Sequence, residues 1–305
     1  MTIVVEAVNL TKTFDGFRAV DDVSMTVESG QILGVAGSNG AGKTTLLRLL
    51  SGAYWPNTGF VRAFGNPLSR DASSVRQRVQ LFDAVGDSSP KMSIKDLVRF
   101  ASLAYARFDD ARCRRLMHAL ELPSTGPVSS LSLGMRAQLR LAISLSTRPD
   151  VLLLDEPTNG LDPIVKRQFL QFILREASDE GAAVVIATHH LDDLDRIADS
   201  VLIMYEGRKV VDGMLDDLKS RIQDVQAILP ARLPSGILGR SDVIRHEERG
   251  SLHIFTVFGE PQELSHLLRN AGASYVETVA LPLDEIFRYL MEREGYTRGG
   301  LENVL

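Results

Sequence analysis

The chain has 305 residues, 44% hydrophobic and 24% charged, with a net charge of −5. That is globular composition, long enough for two domains, and it offers no overall basic field for nucleic acid or anionic lipid. One cysteine, Cys113, excludes an internal disulfide; it lies between Arg112 and Arg114 on an expected helix and reads as a spectator thiol.

In chain order, Ile3 to Val8 reads as a strand, and Thr11 to Gly16 as a polar turn holding Phe14. Val23, Met25 and Val27 alternate with polar residues, which predicts a half-buried strand. Ile32 to Ala36 is a short buried strand leading into Gly37-Ser38-Asn39-Gly40-Ala41-Gly42-Lys43-Thr44, which fits G-x-x-x-x-G-K-[ST]. A helix follows from Thr45. Glycines allow the backbone N–H groups to wrap a phosphate, and the helix N-terminus adds positive potential. Lys43 supplies charge for the β- and γ-phosphates, and the Thr44 hydroxyl is placed for Mg²⁺.

Phe60 to Phe64 predicts another strand, and Ser93 to Ser146 turns helical. Leu131-Ser132-Leu133-Gly134-Met135 opens the last of these helices. Taken by itself, Ser132 reads as a plain N-cap. Val151 to Leu154 is a buried strand that delivers Asp155 and Glu156 to its C-terminal end, where open α/β sheets bind ligands. One carboxylate suits Mg²⁺; the next suits orienting or deprotonating an attacking water. Asn159 to Pro163 turns into a helix from Ile164 to Ala177. Ala182 to Thr188 is a further buried strand ending in His189-His190. A histidine there can hydrogen-bond a terminal phosphate. A metal on both histidines is disfavoured, because neighbours on a strand point to opposite faces. Val201 to Met204 and Arg208 to Val211 form a closing hairpin. In the tail, Leu252 to Phe258 and Tyr275 to Val279 read as strands, and Pro261 to Ala271 and Leu281 to Leu290 as helices.

This order of motifs resembles the ATP-binding subunit of ABC transporters, exporter-type, over roughly residues 3 to 220. The resemblance implies a P-loop ATPase core, α/β, with an antiparallel β subdomain and a helical subdomain near 88–147. A small C-terminal α+β domain spans 221–305. It implies ATP and Mg²⁺ as cofactors, with the nucleotide on Gly37 to Thr44 and Thr45, and the metal on Thr44 and Asp155. Glu156 is then the catalytic base, with Lys43 and His189 beside it. Phe14 becomes the adenine platform, with Phe17 as its competitor. Ser132, Gly134 and Met135 match the signature loop, where Leu133 and Met135 replace the commoner Gly and Gln. Asp162 matches the subunit-communication loop.

The family's geometry implies a head-to-tail sandwich, a homodimer or a pair with a second ATPase subunit. Each signature helix then faces the partner's γ-phosphate. The expected partner is an integral-membrane permease, coupled through the segment between Ala84 and Ser129; no nucleic acid is expected. Location is expected to be cytoplasmic, peripheral on the inner face of the membrane: no apolar run spans a bilayer, and Met1 to Glu6 lacks the marks of a signal peptide. One position departs. Ala84 stands where a glutamine usually sits, and neither Gln80 nor Asp83 is in register to replace it. Hydrolysis is expected despite Ala84, with weak control by the partner. The rival readings are a soluble non-transport member and an ATP switch with little turnover. The tail reads as a dimer-stabilising appendage or, second, a ligand sensor.

Overall fold

Branched aliphatic residues fill three short segments, and each is buried along its whole length: β3 (Ile32–Ala36), β7 (Val151–Asp155) and β8 (Ala183–Thr188). Strands buried on both faces belong inside a parallel sheet covered by helices. The computed structural model describes residues 2–68, 75, 77–83, 92–229, 233 and 236–293. In it, β3 runs parallel to β8, and β8 to β7. β6 (Val79–Asp83) flanks β7 in parallel, and β9 (Ser200–Tyr205) flanks β3. β10 (Arg208–Met214) returns from β9 through Glu206-Gly207 and closes the order β10-β9-β3-β8-β7-β6.

A second sheet has the order β2-β1-β4-β5, from β1 (Ile3–Phe14), β2 (Phe17–Glu28), β4 (Thr58–Ala63) and β5 (Asn66–Pro67). It is antiparallel and shares its core with the first helix, α1 (Lys43–Leu50). β1 corrects the expected turn at Thr11 to Gly16: the strand continues to Phe14, and only Asp15 and Gly16 turn. The twelve-residue β2 pairs along it from Ile3–Glu28 to Phe14–Phe17 through several bulges, and that ladder overrides the polar local sequence.

Helices α2 (Ile94–Ala104), α3 (Asp110–Ala119) and α4 (Leu133–Ser146) form a separate apolar cluster on Ile94, Cys113, Met117, Leu131 and Leu139. Ser93, Asp109 and Ser132 cap their N-termini with side-chain oxygens. α5 (Pro163–Glu180) and α6 (Leu191–Ile197) complete this part of the chain. Among the described residues no helix is long and apolar enough to cross a membrane.

The chain divides into two compact units, Met1–Asp212 and Gly213–Leu305. The second contains α7 (Leu215–Arg221) and a sheet of order β12-β13-β11-β14, from β11 (Ile222–Ile228), β12 (Val243–Arg249), β13 (Leu252–Phe258) and β14 (Tyr275–Ala280). Its apolar face carries Val225, Phe255 and Val257 against Leu264 and Leu268 of α8 (Pro261–Asn270). α9 (Leu283–Arg293) ends the described chain. β11 and β12 were not legible in sequence, because their apolar residues are sparse and irregularly spaced.

Candidate nucleotide site

Three parallel strands release their chains at the same edge of the sheet, and each exit carries polar side chains. After β3, the backbone turns through Gly40 (φ 82°) and Gly42 (φ 101°) into α1. A Cβ on Gly42 would lie 2.1 Å from the Ala19 carbonyl oxygen, so only glycine fits there. Asn39 and Gly40 form the exposed tip, whereas Gly37 and Ala41 are buried. Lys43 is only 6% exposed. Its Nζ donates to the carbonyls of Gly37 (2.8 Å) and Ser38 (3.2 Å) and lies 3.6 Å from Glu156 Oε1. Burial pushes its pKa down, opposed by the Glu156 and Asp155 carboxylates. Thr44 Oγ1 donates to Asp155 Oδ1 at 3.1 Å. Thr45 follows on the same helix, half-buried.

After β7, Glu156 takes a left-handed backbone (φ 45°), an uncommon state for a non-glycine residue. Its N–H donates to the Ala187 carbonyl, and its Oε2 accepts from Thr188 Oγ1 (3.1 Å) and meets His189 Nδ1 at 2.9 Å. Two residues on, Thr158 Oγ1 donates to Asp193 Oδ2 at 2.9 Å; both residues are buried. Asp193 also pairs with Lys166 Nζ at 2.9 Å. Asp193 therefore ties the segment after Glu156 to the helix after His189. Thr188, Thr158, Asp193 and Lys166 are not legible as site residues in the sequence. Their only local mark is an acid in the first turn of a short helix, which reads as an ordinary dipole partner.

The histidine pair differs from expectation. β8 ends at Thr188, so His189 and His190 lie beyond the strand and their rings meet at 4.1 Å between centroids. Strand alternation no longer governs them. Burial and the neighbouring His189 and Lys166 push the His190 pKa down. Even so, no group of three potential metal-ligating side chains occurs among the described residues.

Phe14 ends β1 opposite Phe17, with 38% exposure against 62%. Tyr54 meets the Phe14 ring edge-on at 5.5 Å, and Lys12 Nζ lies 5.2 Å from its centroid. Of the two rings, Phe14 is thus the more firmly held.

The remaining candidates belong to another layer. Ser132 caps α4 by accepting from the Met135 N–H, and Met135 packs on the helical cluster rather than on the cluster holding α1. Gly134 faces Leu161, and Leu133 faces Gly160, so this loop abuts the turn before α5. Asp162 caps α5, its Oδ1 accepting from Ile164 and Val165. Ala84 lies outside the described residues.

A glycine cradle at a helix N-terminus, with a buried lysine and strand-end acids, has the donors and charges that a nucleotide phosphate with its metal requires. Residues 20–159 match the profile of the ABC transporter family. The daunorubicin/doxorubicin resistance ATP-binding protein DrrA of Streptomyces peucetius is 30% identical, covering 94% of this chain and 92% of its own. The chain belongs to the ATP-binding proteins of ABC transporters. Nod factor export ATP-binding protein I of Burkholderia lata is also 30% identical, over 94% and 96% of the two chains. A solved ATP-binding subunit of an ABC transporter superposes with a TM-score of 0.65 at 25% identity, covering 71% of this chain and 92% of its own. A dimeric bacterial ABC transporter cassette gives 0.64 at 20% identity, 69% and 98%, a likeness of fold. This ABC protein is thus a P-loop ATPase, with antiparallel β and helical subdomains beside its parallel sheet and a small α+β unit after them.

Proposed function

We propose that this ABC ATPase powers an integral-membrane exporter from the inner face of the membrane, closing on ATP as a head-to-tail dimer and reopening on hydrolysis. The observation that carries the reading is the Glu156 carboxylate, fixed by Thr188 and His189 and 3.6 Å from Lys43. That is where a base must sit to orient water toward a phosphate held by Lys43. Lys43 already lies over the loop carbonyls, so a terminal phosphate needs only to displace those two bonds. His189 holds Glu156 from the far side and can follow the departing phosphate. Phe14 supports the adenine.

Mg²⁺ fits the donors present. Thr44 hydroxyl and Asp155 carboxylate are hard oxygen ligands that touch each other, and they would hold the ion. When bound, it neutralises charge on the terminal phosphates. Across the dimer, Ser132 and Gly134 at the start of α4 would face the partner's nucleotide, and the Asp162 turn beside them would carry contact between subunits. The export direction is supported by the two relatives matched over nearly their full length, one named for drug resistance and the other for Nod factor export.

Glu156→Gln tests the reading. Turnover should fall by about 10²–10⁴-fold while ATP binding persists, and light scattering with Mg-ATP should report a trapped dimer. Full turnover sinks the base; a variant that stays monomeric at every concentration sinks the sandwich. Co-purification of a tagged subunit from membranes tests the permease.

A further inference from the structure

The second unit's sheet has one apolar face and one polar face. On the polar face, alternate residues of three strands present Asp224, then Ile254 and Thr256, then Arg245, Glu247 and Arg249. α9 adds Glu285, Arg288 and Tyr289. Between them lies a cavity of about 260 Å³. The helix is seated by apolar contacts, with Ile286 at 0% and Leu290 at 4% exposure, so polar groups were not needed to dock it.

Some of these groups satisfy one another. Glu247 pairs with both Arg245 and Arg249. Thr256 Oγ1 donates to Asp224 Oδ1 at 2.7 Å. Others keep unused capacity. The Tyr289 side chain is buried (3% exposed), and its oxygen accepts from Arg245 (3.1 Å) and Arg288 (3.2 Å). Its own O–H then has no acceptor among the described residues. Among the described residues Arg288 makes no close ion pair, though its charge is felt at Asp224 and Glu247, and Glu285 makes none either. Asp224 Oδ2 takes no hydrogen bond among the described residues, and burial raises the Asp224 pKa. The buried Tyr289 hydroxyl and the half-buried Asp224 and Glu285 carboxylates are costly to leave without a ligand or water, whereas Arg288 is exposed and reaches the cavity from its rim.

The two sets are of opposite sign. From these positions we infer that the cavity binds a small zwitterion, with its carboxylate or phosphate on Arg245, Arg288 and Tyr289 and its ammonium on Asp224 and Glu285. The volume falls just under the ~300–1,000 Å³ of pockets for drug-sized ligands, which selects something smaller. A cavity lined by equal numbers of guanidinium and carboxylate groups repels neither end of such a molecule and pairs both, whereas a simple anion would meet uncompensated acids.

The test is calorimetric titration of the full chain with the standard α-amino acids and with phosphoethanolamine. Acetate and methylamine serve as the two halves. Binding by at least one zwitterion is expected, weakened about tenfold or more by Arg288→Gln and by Asp224→Asn. Both halves alone should bind at least about tenfold less tightly. The amino-acid and phosphoethanolamine arms separate carboxylate from phosphate. Circular dichroism checks that the variants fold, and Glu285→Gln, at the surface of α9, provides a third. No zwitterion binding up to about 10 mM, roughly 2.7 kcal/mol of binding free energy, overturns the inference. So does binding that none of the variants changes, or acetate binding as tightly as the zwitterion.

Discussion

The first unit gathers its polar groups at strand ends; the second sets them mid-strand. Both faces of β3, β7 and β8 are buried, so a polar side chain can appear only where the strand stops. Lys43, Asp155, Glu156 and His189 therefore cluster at one edge, each beside its strand in sequence. In the second unit one face of the antiparallel sheet is free of the apolar core. Asp224, Arg245 and Thr256 occupy alternate positions on three strands and meet through strand register. A parallel sheet thus writes its site as contiguous motifs, and an antiparallel one scatters it.

The sharpest way to break the strand-end site is Lys43→Ala. It removes the buried charge that the proposed site sets against the phosphates, and ATP affinity should drop about 100-fold or more, roughly 3 kcal/mol. Titration calorimetry checks it. Unchanged affinity would mean the cradle of glycine N–H groups holds the phosphates without the lysine. Zwitterion binding in the second unit should not change in the same variant.

The same contrast explains what the sequence discloses. The phosphate loop, the acid-ended strand and the histidine-ended strand are local strings, and so is the cap at Ser132. The clamp of Thr158, Lys166 and Asp193 joins three segments through side chains, and no window of sequence contains it. The tilted contact of the His189 and His190 rings depends on where β8 stops, one residue before the alternation argument would apply. β1 runs past a polar stretch because β2 pairs with it, a tertiary ladder that local propensity does not register.

Glu176 sharpens the comparison from inside the first unit. It is 2% exposed on α5, pairs with Arg112 of α3 at 2.5 Å, and keeps Oε1 without a partner among the described residues. Burial raises its pKa to about 7, which the Arg112 guanidinium only partly offsets. An acid raised on folding contributes its stability below its ordinary pKa and loses it as pH climbs through 7. Glu176→Gln should therefore gain on the natural protein between pH 5 and pH 8, by about 1–3 kcal/mol. Denaturant unfolding at the two pH values measures the difference. An equal effect at both would mean the carboxyl is ionised throughout.

A smaller effect is expected from Thr158→Val. The buried hydroxyl bond to Asp193 is lost, about 1–2 kcal/mol, and the segment after the left-handed Glu156 loosens. Steady-state kinetics should show kcat falling about tenfold with ATP affinity kept, since no phosphate-loop contact is touched. Thr158→Ser should restore it. A parallel loss of affinity would place the clamp in binding rather than in positioning Glu156.

The smallest effect should come from the largest deletion. A chain stopped after Arg221 keeps all of β10 and every residue of the strand-end site, and it removes the whole sheet that carries the zwitterion cavity. The first unit's core is filled by its own residues: Val35, Leu46, Leu153 and Val185 are all buried in one cluster drawn from residues 4 to 204. The contacts of Lys43, Thr44 and Glu156 run to Gly37, Ser38, Asp155, Ala187, Thr188 and His189, all within the first unit. ATP affinity should therefore stay within about twofold of the full chain, a difference of roughly 0.4 kcal/mol. Zwitterion binding should vanish altogether. Calorimetry with each ligand on the truncated protein, with circular dichroism to show that it folds, gives both answers at once. A folded truncation that no longer binds ATP would mean that the mid-strand unit supports the strand-end one, and the division drawn between them would fail.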